Sequence, residues 1–227
     1  MLFMCGIVGF VSSKPNEELI NKLVQSIIHR GPDESNYKIF SFGNKYLHLG
    51  SSRLSITGLN DGSMPMNNSD GDSIIFNGEI YELSELKKNI SNLSQTNNDT
   101  RHLFEFLSQN HPRDIYKING MFAFAFFNRK KSTLMLSRDR FGIKPLYYSN
   151  NKNFDIIFSS EIKPLIENNL VRKEISAHDI ENYLLFGGSN IHNEIFKNIR
   201  SVKPGNFLKL NTDGEISEQS YLKKDDK

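Results

Sequence analysis

Short apolar runs recur along this chain in pairs, and each pair is joined by residues that favour a tight turn. "YKIFSF" and "KYLHLGSSRLSI" flank Gly43-Asn44, which suits a hairpin. "GMFAFAFFN" and "STLMLSRD" flank the basic turn Arg129-Lys130-Lys131, and "PLYYS" and "FDIIFSS" meet across Asn150-Asn151. Such runs read as strands, and joins this short make neighbouring strands antiparallel. "CGIVGFV" mixes glycine with β-branched residues and reads as a buried strand, and "SIIFNGEIY" as a short buried strand ending at Asn77-Gly78. Helical spacing is confined to a few stretches. Leu19, Ile20, Leu23, Val24 and Ile27 mark a helix over 16–29 behind Pro15, and further helices are predicted over 82–90, 100–110, 161–167 and 177–186. Strands dominate and helices interrupt them early and late, which is an α+β layout.

Composition narrows the function classes. The 227 residues carry 28 basic and 26 acidic side chains, a net charge of +2, so there is no basic bias of the kind nucleic acid binding needs. A hydrophobic content of 37% with 11% aromatics can fill a large core. The only cysteine is Cys5, so no intramolecular disulfide can form, and a reducing cytoplasm is the expected location. No apolar run reaches the roughly 18 residues that span a bilayer. The apolar N-terminus lacks a basic flank and is broken by Gly6 and Gly9, which makes a poor signal peptide. Acylation of Cys5 as a lipoprotein would want small residues before it, and Phe3-Met4 are not small.

Five stretches are too specific for ordinary scaffold: "CGIVGF", "HRGPDES", "RLSI", "FNGEIYE" and "INGMFAFAFFN…LSRDRFGIKPLYY". Each has a bland reading. Cys5 could be a small buried strand residue, Asn77-Gly78 a turn, Asp99 a helix N-cap, Arg53 a strand surface charge and "SRDRFG" a charged turn. In order and together, the five resemble the class II glutamine amidotransferases, and within them the glutaminase domain of asparagine synthetases. The resemblance runs from Cys5 to about Leu210.

The resemblance implies an Ntn-hydrolase-type four-layer sandwich, with two antiparallel sheets between helices. It also implies hydrolysis of L-glutamine to glutamate and ammonia through a cysteinyl thioester. In that family the mature chain begins at the cysteine. Its thiol is the nucleophile, and its own α-amine, with an ordinary pKa of about 7.7–8.0, moves the proton. By resemblance Cys5 is the nucleophile, and Asn77 and Gly78 form the oxyanion hole. Arg53 takes the α-carboxylate of glutamine and Asp99 its α-ammonium, and Glu79 and the backbone near Ile56 complete the pocket. His29 and Arg30 frame the site, and Arg138, Asp139 and Arg140 are expected to be structural ion-pair residues. No metal is expected.

Three departures from the family follow. Met1 to Met4 precede the cysteine, so residues 1–4 are expected to be a removable leader or a mis-called start. Arg101 stands where the family has an acidic residue. No serine-glycine-glycine phosphate loop and no Walker-type loop occurs. The expected layout is a glutamine amidotransferase domain over 5–210 and, over 211–227, a linker towards an absent synthetase domain. No cofactor is expected in the domain itself; ATP and Mg belong to the synthetase domain. The expected partners are L-glutamine and that synthetase domain, in the same longer chain or as a separate one. Nucleic acid and membrane partners are not expected, and a homodimer is left open. Two alternatives stand beside this reading. One is a catalytically silent domain with a scaffold or regulatory role; the other is an amidotransferase half serving another carboxylate, such as a sugar acid.

Overall fold

The computed structural model describes residues 4–54, 62–91, 94–187 and 194–223. In chain order its elements are β1 (Gly6–Ser12), α1 (Glu17–Ser26), β2 (Glu34–Phe42), β3 (Lys45–Arg53), β4 (Met66–Asn67), β5 (Ser73–Ile80), α2 (Leu83–Lys87), α3 (Asp99–Gln109), β6 (Gly120–Asn128), β7 (Thr133–Arg138), β8 (Tyr147–Asn151), β9 (Phe154–Ser159), α4 (Lys163–Glu167), α5 (Ala177–Phe186), β10 (Arg200–Ser201), β11 (Asn206–Leu210) and β12 (Ile216–Ser220). Two short 3-10 turns cover Ile28–Arg30 and Pro112–Lys117.

The strands form two antiparallel sheets, ordered β10-β8-β9-β1-β3-β2 and β12-β11-β7-β6-β5-β4. The hairpin turn expected at Gly43-Asn44 joins β2 to β3, with Gly43 in the left-handed region at φ +61°. Strand β1 is central and buried on both faces, which explains its continuous apolar run. Its alternate residues serve two cores. Val8 and Phe10 pack with Ile20, Leu23 and Val24 of α1 and Leu165 of α4. Ile7 and Val11 belong to the larger core, where Phe42 of the first sheet meets Phe127 of the second. On the second sheet's other face Phe104 of α3 sits edge-on to Phe126. Each such fully buried side chain contributes about 1.5–3 kcal/mol. The layers therefore run helix, sheet, sheet, helix, as the resemblance implied.

Local chemistry sets the helix starts. The Asn16 side chain accepts a hydrogen bond from the Leu19 amide at 2.9 Å and starts α1. Gly50 lets that helix lie close, because a Cβ there would stand 2.5 Å from Val24 Cγ2. Helix α5 is less integrated: Asp179 is its buried residue, while Leu184, Leu185 and Phe186 are exposed.

Three expectations change. Strand β5 does not end at Asn77-Gly78 but runs through the pair to Ile80, with Asn77 opposite Ala123 and Gly78 opposite Phe122. Asn98, not Asp99, caps α3. The stretch read as linker contains β12, paired with β11 along its length, followed by buried Tyr221, whose hydroxyl donates to the Arg138 carbonyl at 2.7 Å. The apolar-poor composition of "EISEQS" concealed a strand whose partner supplies the core face.

Candidate active site

Cys5 is the residue before β1, at the strand's leading end. Its neighbours come from distant parts of the chain. The Arg30 guanidinium donates from Nε to the Cys5 carbonyl at 3.1 Å and from Nη1 to Glu161 at 2.8 Å. The Met4 amide donates to the Arg30 carbonyl at 2.8 Å. Arg30 thus ties the Cys5 backbone to Glu161. His29 stands further out, half-exposed, with Nε2 3.0 Å from Glu161. Burial raises the Cys5 thiol pKa; the Leu54 backbone and the Arg53 charge oppose that rise, and Asp99 adds to it.

The thiol opens on a cavity of about 330 Å³ between the two sheets, lined also by Arg53, Asn77, Gly78, Glu79 and Asp99. Asn77 is buried, and its Nδ2 has no hydrogen-bond partner among the described residues. A buried amide donor without a partner costs about 1–3 kcal/mol. Gly78 has no room for a side chain: a Cβ would fall inside the van der Waals shell of the Met121 carbonyl. Arg53 ends β3, is buried, and donates from Nη1 to Glu34 at 3.2 Å. Asp99 opens α3, where the helix dipole favours an anion. Its carboxylate accepts the Ile80 amide at 3.2 Å and the Thr100 amide at 2.7 Å. Burial raises its pKa, and these two hydrogen bonds oppose the rise. Cation and anion therefore face one cavity with the thiol.

The "SRDRFGIKP" loop is knotted rather than ion-paired. Asp139 is fully buried and accepts four backbone amides: Phe122 at 3.2 Å, and Phe141, Ile143 and Lys144 at 3.0 Å each. Arg138 donates to the carbonyls of Lys144 (2.9 Å), Val202 (3.1 Å) and Gly142 (2.7 Å). Arg140 donates to the Tyr116 carbonyl. The expected ion pairs of this stretch are replaced by side chain to backbone bonds, because a tight loop leaves amides and carbonyls that a strand ladder would have used.

Cys5, Arg53, Asn77, Gly78, Glu79 and Asp99 are brought together, and Arg30 is joined to them through the Cys5 carbonyl. His29 does not line the cavity, and Ile56 lies outside the described residues, as do Met1 to Phe3. Glu34, Glu161, Met4 and Lys144 were not singled out from sequence as site neighbours. Glu34 lies inside "HRGPDES" and Lys144 inside "RFGIKP", so the motifs carried the signal without the roles. Among the described residues no group of three or more His, Cys, Asp or Glu could hold a metal ion.

Two antiparallel sheets between helices, presenting a thiol at the head of a central strand, have the architecture of the N-terminal nucleophile hydrolases. Solved structures agree on the fold. An allosteric regulatory enzyme of purine biosynthesis superimposes with a TM-score of 0.71 at 16% identity, covering 96% of this chain and 49% of that one. Glutamine phosphoribosylpyrophosphate amidotransferase from Bacillus subtilis superimposes with a TM-score of 0.62, also at 16% identity. Residues 4–222 match the glutamine amidotransferase domain, and the chain belongs to that family. Among its relatives are the glutamine-hydrolysing asparagine synthetase 1 of Bacillus subtilis, 34% identical over 97% of this chain and 35% of the relative, and asparagine synthetase B of Escherichia coli, 31% identical over 72% and 30%. The chain thus spans about a third of the length of these curated relatives. No helix among the described residues is long and apolar enough to cross a membrane.

Proposed function

We propose that this chain is the glutaminase half of an asparagine synthetase-like enzyme, with Cys5 as its nucleophile. The observation that carries the reading is one cavity holding the thiol, a buried carboxamide donor with no partner among the described residues, a cation and an anion: Cys5, Asn77, Arg53 and Asp99. Free glutamine presents a carboxylate, an ammonium and an amide, and each has a counterpart there. Arg53 receives the carboxylate and Asp99 the ammonium. The thiolate sulfur attacks the side-chain amide carbon, and negative charge builds on the amide oxygen towards Asn77 Nδ2 and the Gly78 amide. The α-amine of Cys5 takes the thiol proton and delivers it to the leaving nitrogen, which departs as ammonia. Water then cleaves the thioester to glutamate. Glu79 lies on the cavity wall, where it adds a second anion.

That route requires the Met4–Cys5 bond to be broken, by processing of residues 1–4 or by a start at Met4. Ammonia then passes to a synthetase domain, in the same longer chain or as a partner, that uses ATP and Mg and takes aspartate to asparagine. Other carboxylates, such as sugar acids, are acceptors that the glutaminase half does not fix. A cytoplasmic location fits the single thiol. The rival, a catalytically silent scaffold, is favoured by one observation: Met4 is anchored to the Arg30 carbonyl and lines the cavity, leaving Cys5 nitrogen as an amide. Intact mass and ammonia release from glutamine decide between them. Protein beginning at Cys5 should release ammonia and its Cys5→Ala variant should not; equal release from the two overturns the mechanism, and retention of residues 1–4 without activity favours the rival.

A further inference from the structure

The knotted loop delivers one side chain to the site that the proposed mechanism does not use. Lys144 is 5% exposed and lines the cavity with Cys5. Its backbone is held at both polar atoms: the amide donates to Asp139 at 3.0 Å, and the carbonyl accepts from Arg138 at 2.9 Å. Its Nζ rests 2.9 Å from Sδ of Met4, the residue bonded to Cys5. A thioether is a weak acceptor and no stabiliser of a buried ammonium. Among the described residues Lys144 makes no salt bridge of 4.0 Å or less.

We propose that Lys144 is a positioning residue for the nucleophile: its ammonium, aimed into the cavity by the Asp139–Arg138 knot, favours the Cys5 thiolate over the thiol. Once residues before Cys5 are gone, the same charge favours the neutral form of the new α-amine, the form able to take a proton. Both effects follow from one cation that shares the cavity with Cys5. The proposal rests on Cys5 being the nucleophile.

The other charges facing these groups are Arg30 from the turn after α1, Arg53 from β3, Glu79 from β5, Asp99 from α3 and Asp139 within the loop. The Arg53 charge lowers the thiol pKa and Asp99 raises it, while Cys5 itself is among the groups that raise the Lys144 pKa. Burial, followed by the Arg30 charge, lowers the Lys144 pKa, as befits an ammonium held without a carboxylate partner.

Because Cys5 is the only cysteine, iodoacetamide alkylation of the full chain reports its ionisation alone. The measurement is alkylation rate against pH for the parent, Lys144→Met and Lys144→Arg, with thermal melts of each. A neighbouring cation shifts a partly buried acid by on the order of one pH unit. Lys144→Met should move the midpoint up by about one unit, with alkylation about tenfold slower below it, and Lys144→Arg should stay near the parent. Should Lys144→Met not fold, Lys144→Gln is read in the same way. A midpoint unchanged in the neutral variants, or shifted equally in Lys144→Arg, overturns the proposal. Ammonia release by Cys5→Ala separates the two claims: release without the thiol defeats the glutaminase reading while leaving the alkylation result standing.

Discussion

Replacing Asn77 by alanine tests the centre of the site. In the resting molecule its Nδ2 is buried and bonded to nothing described, so truncation removes no existing hydrogen bond from that atom. On the proposed mechanism the group's interaction is instead realised when the amide oxygen of glutamine becomes an oxyanion. Loss of one such donor lowers kcat by about 10²–10³, or about 2.7–4 kcal/mol of transition-state stabilisation. On the proposed mechanism ground-state binding falls to Arg53 and Asp99, so KM should change by no more than about threefold, the signature of an interaction made only in the transition state. Deleting an unpartnered polar group on a cavity wall is nearly neutral for folding, and the melting temperature should stay within about 3 °C of the parent. The assay is enzyme-coupled ammonia release by protein beginning at Cys5, with melts run in parallel. Asn77→Asp, which puts an acceptor where a donor is needed, should lose at least as much activity. A kcat within threefold of the parent, or a loss that tracks a fall in melting temperature, would refute the oxyanion role.

Arg53→Met should raise the KM for glutamine by about 10- to 150-fold, the worth of a charged hydrogen bond of about 1.5–3 kcal/mol, and leave kcat within a few-fold; a fall in kcat alone would remove Arg53 from carboxylate binding. Gly78→Ala places a methyl group against the Met121 carbonyl and should cost about 1–3 kcal/mol, read as a drop of roughly 3–10 °C in melting temperature. His48 is fully buried, stacked on Phe10 at 4.0 Å, and accepts the Asn16 amide at 2.9 Å; burial lowers its pKa to about 4. A histidine depressed in the folded state stabilises fully above its unfolded value near 6.5 and loses that contribution as pH falls through the folded value. Urea unfolding should therefore show a loss of about 3 kcal/mol between pH 6.5 and 4 that is missing in His48→Gln.

Much of this molecule was legible in the sequence because its signals are local. The paired apolar runs and turn residues required antiparallel strands, and the continuous run in β1 required burial on both faces. The motifs mark Cys5, Asn77, Arg53 and Asp99. What stayed hidden depends on contacts between residues far apart in the chain. Nothing around position 161 says that Glu161 holds the arginine beneath Cys5, 131 residues away in sequence. "SRDR" read as ion pairs, because charge sign is visible in a sequence and an unpaired backbone amide is not. Asn-Gly read as a strand end because its turn propensity is intrinsic, whereas its ladder depends on the partner strand β6. β12 read as linker because its polar residues face outward and its order comes from pairing with β11. The sequence by itself determined the α+β layout and the motifs that carry the family resemblance, Cys5, Arg53, Asn77 and Asp99 among them. Only the tertiary structure decided that these residues share one cavity, that the Asn77 donor has no partner among the described residues, and that a knotted loop brings Lys144 to the same cavity. Pattern is encoded in neighbouring residues, whereas burial and electrostatic coupling exist only once distant segments meet.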